Sequence, residues 1–327
     1  MAQEFELRPF RYDNLLAFLA LLGLMRALDH ARPDWRVRAR WCQRRGRGPW
    51  VPVVAVADAS ELTPEDLAAE AERGVLELAG FQDFGGRQKL DFTEDEFRVL
   101  ARTASGERAE ALAALASDGV TQEKKGREEE KKAVVAPTPL CTMFGQGNQY
   151  FLERMSPRVA TGKGVAVPLE RRQDGAELLR RTLIEDWEHQ RDPNFGGFRF
   201  DPQEDRRYAY QYADPKSRQG KIGTVPGANR LAAVAIPLFT VFPGRNGLRT
   251  TAFARHGGAH MITWPIWTVP SRLSAIRHLL AHPELVAPMP RAERLRPHGV
   301  AELVRARRIS VGRFVNFTRG EPLWGTA

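Results

Sequence analysis

Leu15, Phe18, Leu19, Leu22, Met25 and Leu28 recur at the spacing that lines one face of an α-helix. Asp13 or Asn14 stands where such a helix is capped. The pattern then changes period. In "WRVRARW" at 35–41, Trp35, Val37, Ala39 and Trp41 alternate with Arg36, Arg38 and Arg40, which predicts a strand with one buried and one basic face. "CQRRGRGP" carries Arg44, Arg45 and Arg47 on a glycine-broken loop, and "WVPVVAVA" at 50–57 reads as the returning strand. The first elements predicted are a buried helix and a long-looped hairpin with a positive outer face.

Further along, 61–79 reads as an acidic helix and 94–117 as one or two Ala-rich helices. "FQDFGGRQKLDFT" at 81–93 reads as a glycine loop with Arg87, Gln88 and Lys89 at its tip. The mixed charge run at 122–133 reads as a linker or mobile surface loop, dividing an N-terminal lobe, 1–121, from a C-terminal lobe, 134–327. Beyond it come a polar loop, "FGQGNQYF" at 144–151, and a helix at 174–190. "LFTVF", "LRTTAF" and "HMITWPIW", separated by "PGRNG" and "RHGGA", predict an antiparallel meander. Pro265 should place the last of these at an edge or beside a bulge. A helix at 271–285 stopped near Pro283 and a short Arg-rich helix at 299–308 complete the reading. The expected fold is α+β and two-lobed, with antiparallel sheets, packed helices and a C-terminal helical segment.

Composition excludes wholesale disorder, with 43% hydrophobic and 27% charged residues in 327. The net charge of +9 points to a polyanionic partner, and its distribution sharpens that. The balance is +5 over residues 1–50, −8 over 51–100, +1 over 101–200 and +11 over 201–327. Basic residues therefore gather toward both ends. Cys42 and Cys141 have no CxxC or Cys/His spacing around them, which argues against a disulfide framework or structural zinc and fits a reducing cytoplasm. "LLAFLALLGLM" at 15–25 is too short to span a bilayer and runs into Arg26 and Asp29. With Glu4 and Glu6 before it, it does not read as a signal peptide.

Enzymatic signatures are weak. "GTVPGANRLAAVAIPLF" at 223–239 supplies neither a Walker loop nor a dinucleotide fingerprint. Asn229 reads there as a helix cap with Leu231, Val234, Ala235 and Ile236 buried behind it, the alternative being an anion site at an exposed helix start helped by Arg230. The pairs His256/His260 and His278/His282 lack the glutamate of a zinc-protease motif, and the first straddles two glycines as a turn would. Asp201, Glu204 and Asp205 are a minor candidate for a metal-dependent nuclease. The stronger pattern is nucleic-acid binding. Arg36, Arg38, Arg40, Arg44, Arg45 and Arg47, with Arg230, are candidates for backbone phosphates. Arg87, Gln88, Lys89, Gln146, Asn148 and Gln149 combine flexible glycine loops with groups that hydrogen-bond base edges, and are candidates for motif reading or strand separation.

Several blocks occur in a familiar order: "NLLAFLALLGLMRAL", "FGGRQKLDFT", "FRFDPQEDRRYAYQYADP", "GANRLAAVAIPLF", "LRTTAF" and "WPIWTVPSRLSAIRHLL". The chain resembles the CRISPR-associated large-subunit proteins of type I-G (formerly I-U) effector complexes. The resemblance implies a non-catalytic, cytoplasmic subunit without cofactor or membrane attachment. It would read the short protospacer-adjacent motif in double-stranded DNA, aid duplex opening and help recruit a helicase–nuclease. The implied partners are CRISPR RNA, target DNA, the backbone and other subunits of the complex, and the helicase–nuclease. Two rival expectations are a CRISPR RNA-processing endoribonuclease using His, and a scaffold that touches only proteins.

Overall fold

The computed structural model describes residues 2–43, 48–57, 61–125, 131–142, 151–155, 158–160, 166–168, 175–189, 197–204, 223–245, 247–311 and 314–324. The fold is α+β. Its first sheet is antiparallel, with β1 (Gln3–Glu6) and β2 (Arg38–Gln43) on either side of β3 (Trp50–Val56). Between β1 and β2 runs α1 (Leu15–Ala31), whose start is fixed by the Asn14 side chain accepting from the Leu16 N–H at 2.9 Å. Every residue from Leu15 to Leu28 is buried, so α1 is packed on all sides and not on one face only. Trp35, Val37, Ala39 and Trp41 are buried, as their alternation predicts.

Two capping boxes set the next helices: Thr63 with Asp66 opens α2 (Pro64–Phe81), and Thr93 with Glu96 opens α3 (Glu94–Thr103). After α4 (Gly106–Leu115) the structure departs from the linker expected at 122–133. Residues 122–125 and 131–133 lie in paired strands, β4 (Ala116–Lys125) and β5 (Lys131–Pro137). Opposite Gln122 and Thr121 stand Val134 and Val135, both buried, which anchors a hairpin that composition alone presents as unstructured charge. The apolar core is also continuous across this boundary, running from Leu7 to Phe317.

The second half contributes α5 (Phe151–Met155), the short pair β6 (Arg158–Ala160) and β7 (Ala166–Pro168), α6 (Gly175–Ile184) and α7 (Pro226–Ala235). Helices α1 and α7 join the two halves. A Cβ on Gly23 would fall on the Leu231 carbonyl, so the backbones touch where only glycine fits. Beside that close approach the buried Arg26 donates to the Val234 carbonyl at 2.7 Å and pairs with Glu107 and Glu110 of α4.

The expected meander divides. β8 (Val241–Gly244) and β9 (Gly247–Thr250) form their own hairpin, while β10 (Phe253–His256) and β11 (Ala259–Trp267) join a five-stranded sheet. Pro265 lies beyond the stretch of β11 that β10 covers and just before a register shift at Ile266/Trp267, so its missing N–H breaks no ladder there. Helix α8 (Leu273–Leu280) follows, then a 3₁₀ turn at Pro283–Val286 and the single turn α9 (Ala292–Leu295).

The Arg-rich helix expected at 299–308 is instead a long strand, β12 (Val300–Val311). It pairs antiparallel with β11 on one side, and with β13 (Phe314–Phe317) and β14 (Glu321–Pro322) on the other. The chain therefore closes in strands, not in a helical segment. Ala, Glu, Leu and Arg are helix formers by local preference, but two-sided pairing to sequence-distant partners decides the state. Among the described residues no helix is long and apolar enough to cross a membrane.

Candidate nucleic-acid interface

The basic strand reaches the surface as its period requires, with an irregularity at its start. A 3₁₀ turn at Pro33–Trp35 ends on Arg36, which holds φ 46° and ψ 49°, the left-handed region that a residue with a Cβ rarely adopts. Arg36 and Arg38 are exposed, while Arg40 is only partly so and pairs with Glu4 of β1 at 2.9 Å. Arg44, Arg45 and Arg47 lie outside the described residues, as do Gln146, Asn148, Gln149 and Asp205.

Two expected sites are corrected by their surroundings. Arg230 does not sit at an exposed helix start. It is 4% exposed, pairs with Glu72 of α2, and ties α7 to the rest of the core. Arg87 is folded back onto its own loop: it pairs with Asp91 at 3.3 Å and Glu96 at 3.2 Å and stacks over Phe92 at 4.3 Å. Gln88 accepts the Leu152 N–H through its carbonyl, and Lys89 is half-buried. Gly85 and Gly86 carry φ of 70° and 72°, so the tight turn read from the sequence is present, with its guanidinium engaged internally.

Asn229 is likewise not a cap, because α7 starts three residues earlier. It is fully buried and forms the centre of a polar network. Its Oδ1 accepts the Phe198 N–H at 2.9 Å, and its Nδ2 donates to Thr224 Oγ1 at 2.7 Å. Glu204 accepts from Thr224 and from the Arg199 N–H, and burial pushes its carboxyl above the usual range. Beside it, His189 Nε2 lies 3.0 Å from the buried Asp201, which raises the imidazole. Among the described residues no group of three His, Cys, Asp or Glu is arranged to hold a metal.

Where the two basic ends meet is a feature that local sequence does not reveal. Ala39 of β2 and Ser271, just before α8, exchange backbone hydrogen bonds of 2.9 Å in both directions, and Trp267 Nε1 donates to the Ala39 carbonyl at 2.7 Å. This junction brings Arg36 beside Arg272 and Arg277 along an open cleft, completed by Asp29, Pro33, Leu273 and Ser274. Arg277 pairs with Glu110 at 2.9 Å. No ion pair closes on Arg36, Arg38 or Arg272 among the described residues, whereas Arg8, Arg11, Arg32, Arg73 and Arg98 are all paired. Three guanidiniums, one from the turn before β2 and two from α8 and its cap, two of the three without an ion pair, are suited to gripping a phosphate-rich chain.

Compared with protein-family models, curated proteins and solved structures, the chain finds no match in any of the three.

Proposed function

We propose that the chain is a non-catalytic, cytoplasmic nucleic-acid-binding subunit of a type I-G CRISPR RNA-guided surveillance complex. In that role it recognises the protospacer-adjacent motif in double-stranded DNA, aids duplex opening and helps recruit the helicase–nuclease. The observation that carries the binding role is the meeting of Arg36 with Arg272 and Arg277 in the cleft beside the Ala39–Ser271 junction. Backbone phosphates supply most of the affinity of such an interface, and a guide RNA supplies the sequence reading. The complex to which the subunit belongs is inferred from the resemblance of its sequence blocks.

Affinity purification of the tagged chain from its native host tests the assignment. The expected preparation carries an RNA whose ends derive from CRISPR repeats. A preparation with no such RNA contradicts it. The half-buried His189 hydrogen-bonded to the buried Asp201 favours a second reading, an endoribonuclease with His as general acid or base. Purified protein should leave repeat RNA uncut. Metal-independent cleavage that His189→Ala abolishes would establish the enzyme instead.

A further inference from the structure

We propose that the cleft between the end of α1 and the start of α8 is a discrete pocket for one phosphate group of a nucleic-acid strand, held by Arg36 and Arg272, with Asp29 as the carboxylate in the lining whose charge opposes that phosphate. The inference deepens the nucleic-acid reading above and rests on it.

The cleft is built for an anion. Arg36 enters from the turn before β2 and Arg272 from the residue preceding α8, so the Ala39–Ser271 junction fixes the two backbone positions beside each other. Arg36 keeps its guanidinium there at the cost of a left-handed backbone, the kind of local strain that gathers at binding sites. Helix α8 begins at the cleft, with Leu273 and Ser274 in its lining, and has no side-chain cap. Pro33 and Leu273 are the apolar residues of the lining, so the cleft suits a charged group better than an apolar ligand.

Asp29 supplies the control. It lines the cleft next to the turn carrying Arg36, where the Val37 backbone and the charge of Arg272 favour its ionised form. Burial pushes its pKa up to about 6, so the proton that removes its charge arrives in a mildly acidic range. The other charged groups around it are Arg36, Arg272 and Arg277 of the cleft, and Glu110 of α4, paired to Arg277. Across α1 lie Glu77, paired to His30, and Arg73 of α2. Protonating Asp29 removes a negative charge from the lining, so the pocket should bind anions more tightly as pH falls through about 6.

The test is a titration of the full chain with sodium sulfate at constant ionic strength, followed by backbone amide shifts. Sulfate keeps one charge state from about pH 5 to about pH 8, so any pH dependence belongs to the protein. Saturable shifts are expected at Arg36, Val37, Leu273 and Ser274, with tighter binding at the lower pH. Arg36→Gln and Arg272→Gln, both at exposed positions, should each weaken sulfate about tenfold. Asp29→Asn, which keeps the size of the side chain and removes its charge, should bind at the higher pH as wild type does at the lower and lose the pH dependence, separating Asp29 from His30 and His278. Shifts elsewhere, or affinities unchanged in these variants, overturn the pocket.

Duplex DNA binding measured on the same proteins separates the two ideas. DNA binding without sulfate in the cleft sinks the pocket and spares the proposed function. Sulfate in the cleft with no nucleic-acid binding by the assembled complex sinks the function and, with it, the assignment of the phosphate to a nucleic acid. If a protein subunit of the complex, and not DNA, displaces the sulfate, the cleft is a protein-binding surface and the proposal fails.

Discussion

Arg36 holds a strained backbone position beside the proposed binding cleft. Its left-handed backbone costs a residue with a Cβ about 1–2 kcal/mol. Arg36→Gly should therefore stabilise the fold by up to about 1 kcal/mol, net of the entropy of glycine, while weakening nucleic-acid binding. Denaturant midpoints and gel shifts on one preparation check both directions. Asp29 has an opposite pH logic to an ordinary paired carboxylate. Its folded pKa of about 6 lies above the ordinary value of 3.8, so its contribution is full below the lower value and lost as pH rises through the upper one. Asp29→Asn should raise the melting temperature at about pH 7.5 and leave it nearly unchanged at about pH 4. An equal shift at both pH values would contradict the burial of that carboxyl. Asn229→Ala, which strips the Phe198 N–H and Glu204 of a buried partner, should cost about 3 kcal/mol in chemical denaturation.

At the scale of elements, strong periodicity was readable and long-range pairing was not. Leu15 to Leu28 announce α1, and the alternation from Trp35 to Trp41 gives the correct buried face of β2 and its approach. The two capping boxes at Thr63 and Thr93 mark helix starts that the periodicity places within a few residues. The strand β12 escaped because its residues favour helix locally while its partners in β11 lie some 40 positions away in the chain. The charge run at 122–133 escaped for a related reason: Val134 and Val135, at its edge, hold a hairpin together. The apolar stretch after Gly227 was legible as buried, but not the close approach that makes it matter. Gly23→Ala should force the Leu231 carbonyl away and cost about 3 kcal/mol or more, separating α1 from α7. Native-like unfolding of that variant would show that the two backbones have room to spare.

For the whole molecule, the basic surplus at the chain ends is a poor guide to free charge, because much of it is used internally. Arg26, Arg40, Arg87 and Arg230 are paired within the fold, and Arg305 donates to the carbonyls of Ala287 and Pro288. The sequence named Arg36 and Arg38 correctly as exposed, yet nothing local to 271–277 shows that Arg272 and Arg277 come to lie beside Arg36. That neighbourhood is created by the Ala39–Ser271 junction, between residues more than 200 positions apart. The account stands on those guanidiniums acting together on one sugar–phosphate backbone. The most direct measurement is the salt dependence of duplex affinity for the assembled complex, wild type against Arg36→Glu/Arg38→Glu/Arg272→Glu, with Arg40→Glu as the internally paired control. The triple variant should bind every sequence more weakly, with a log–log salt slope shallower by about 0.9 for each phosphate no longer neutralised, and the control should change far less. A slope and affinity unchanged in the triple variant would contradict the account.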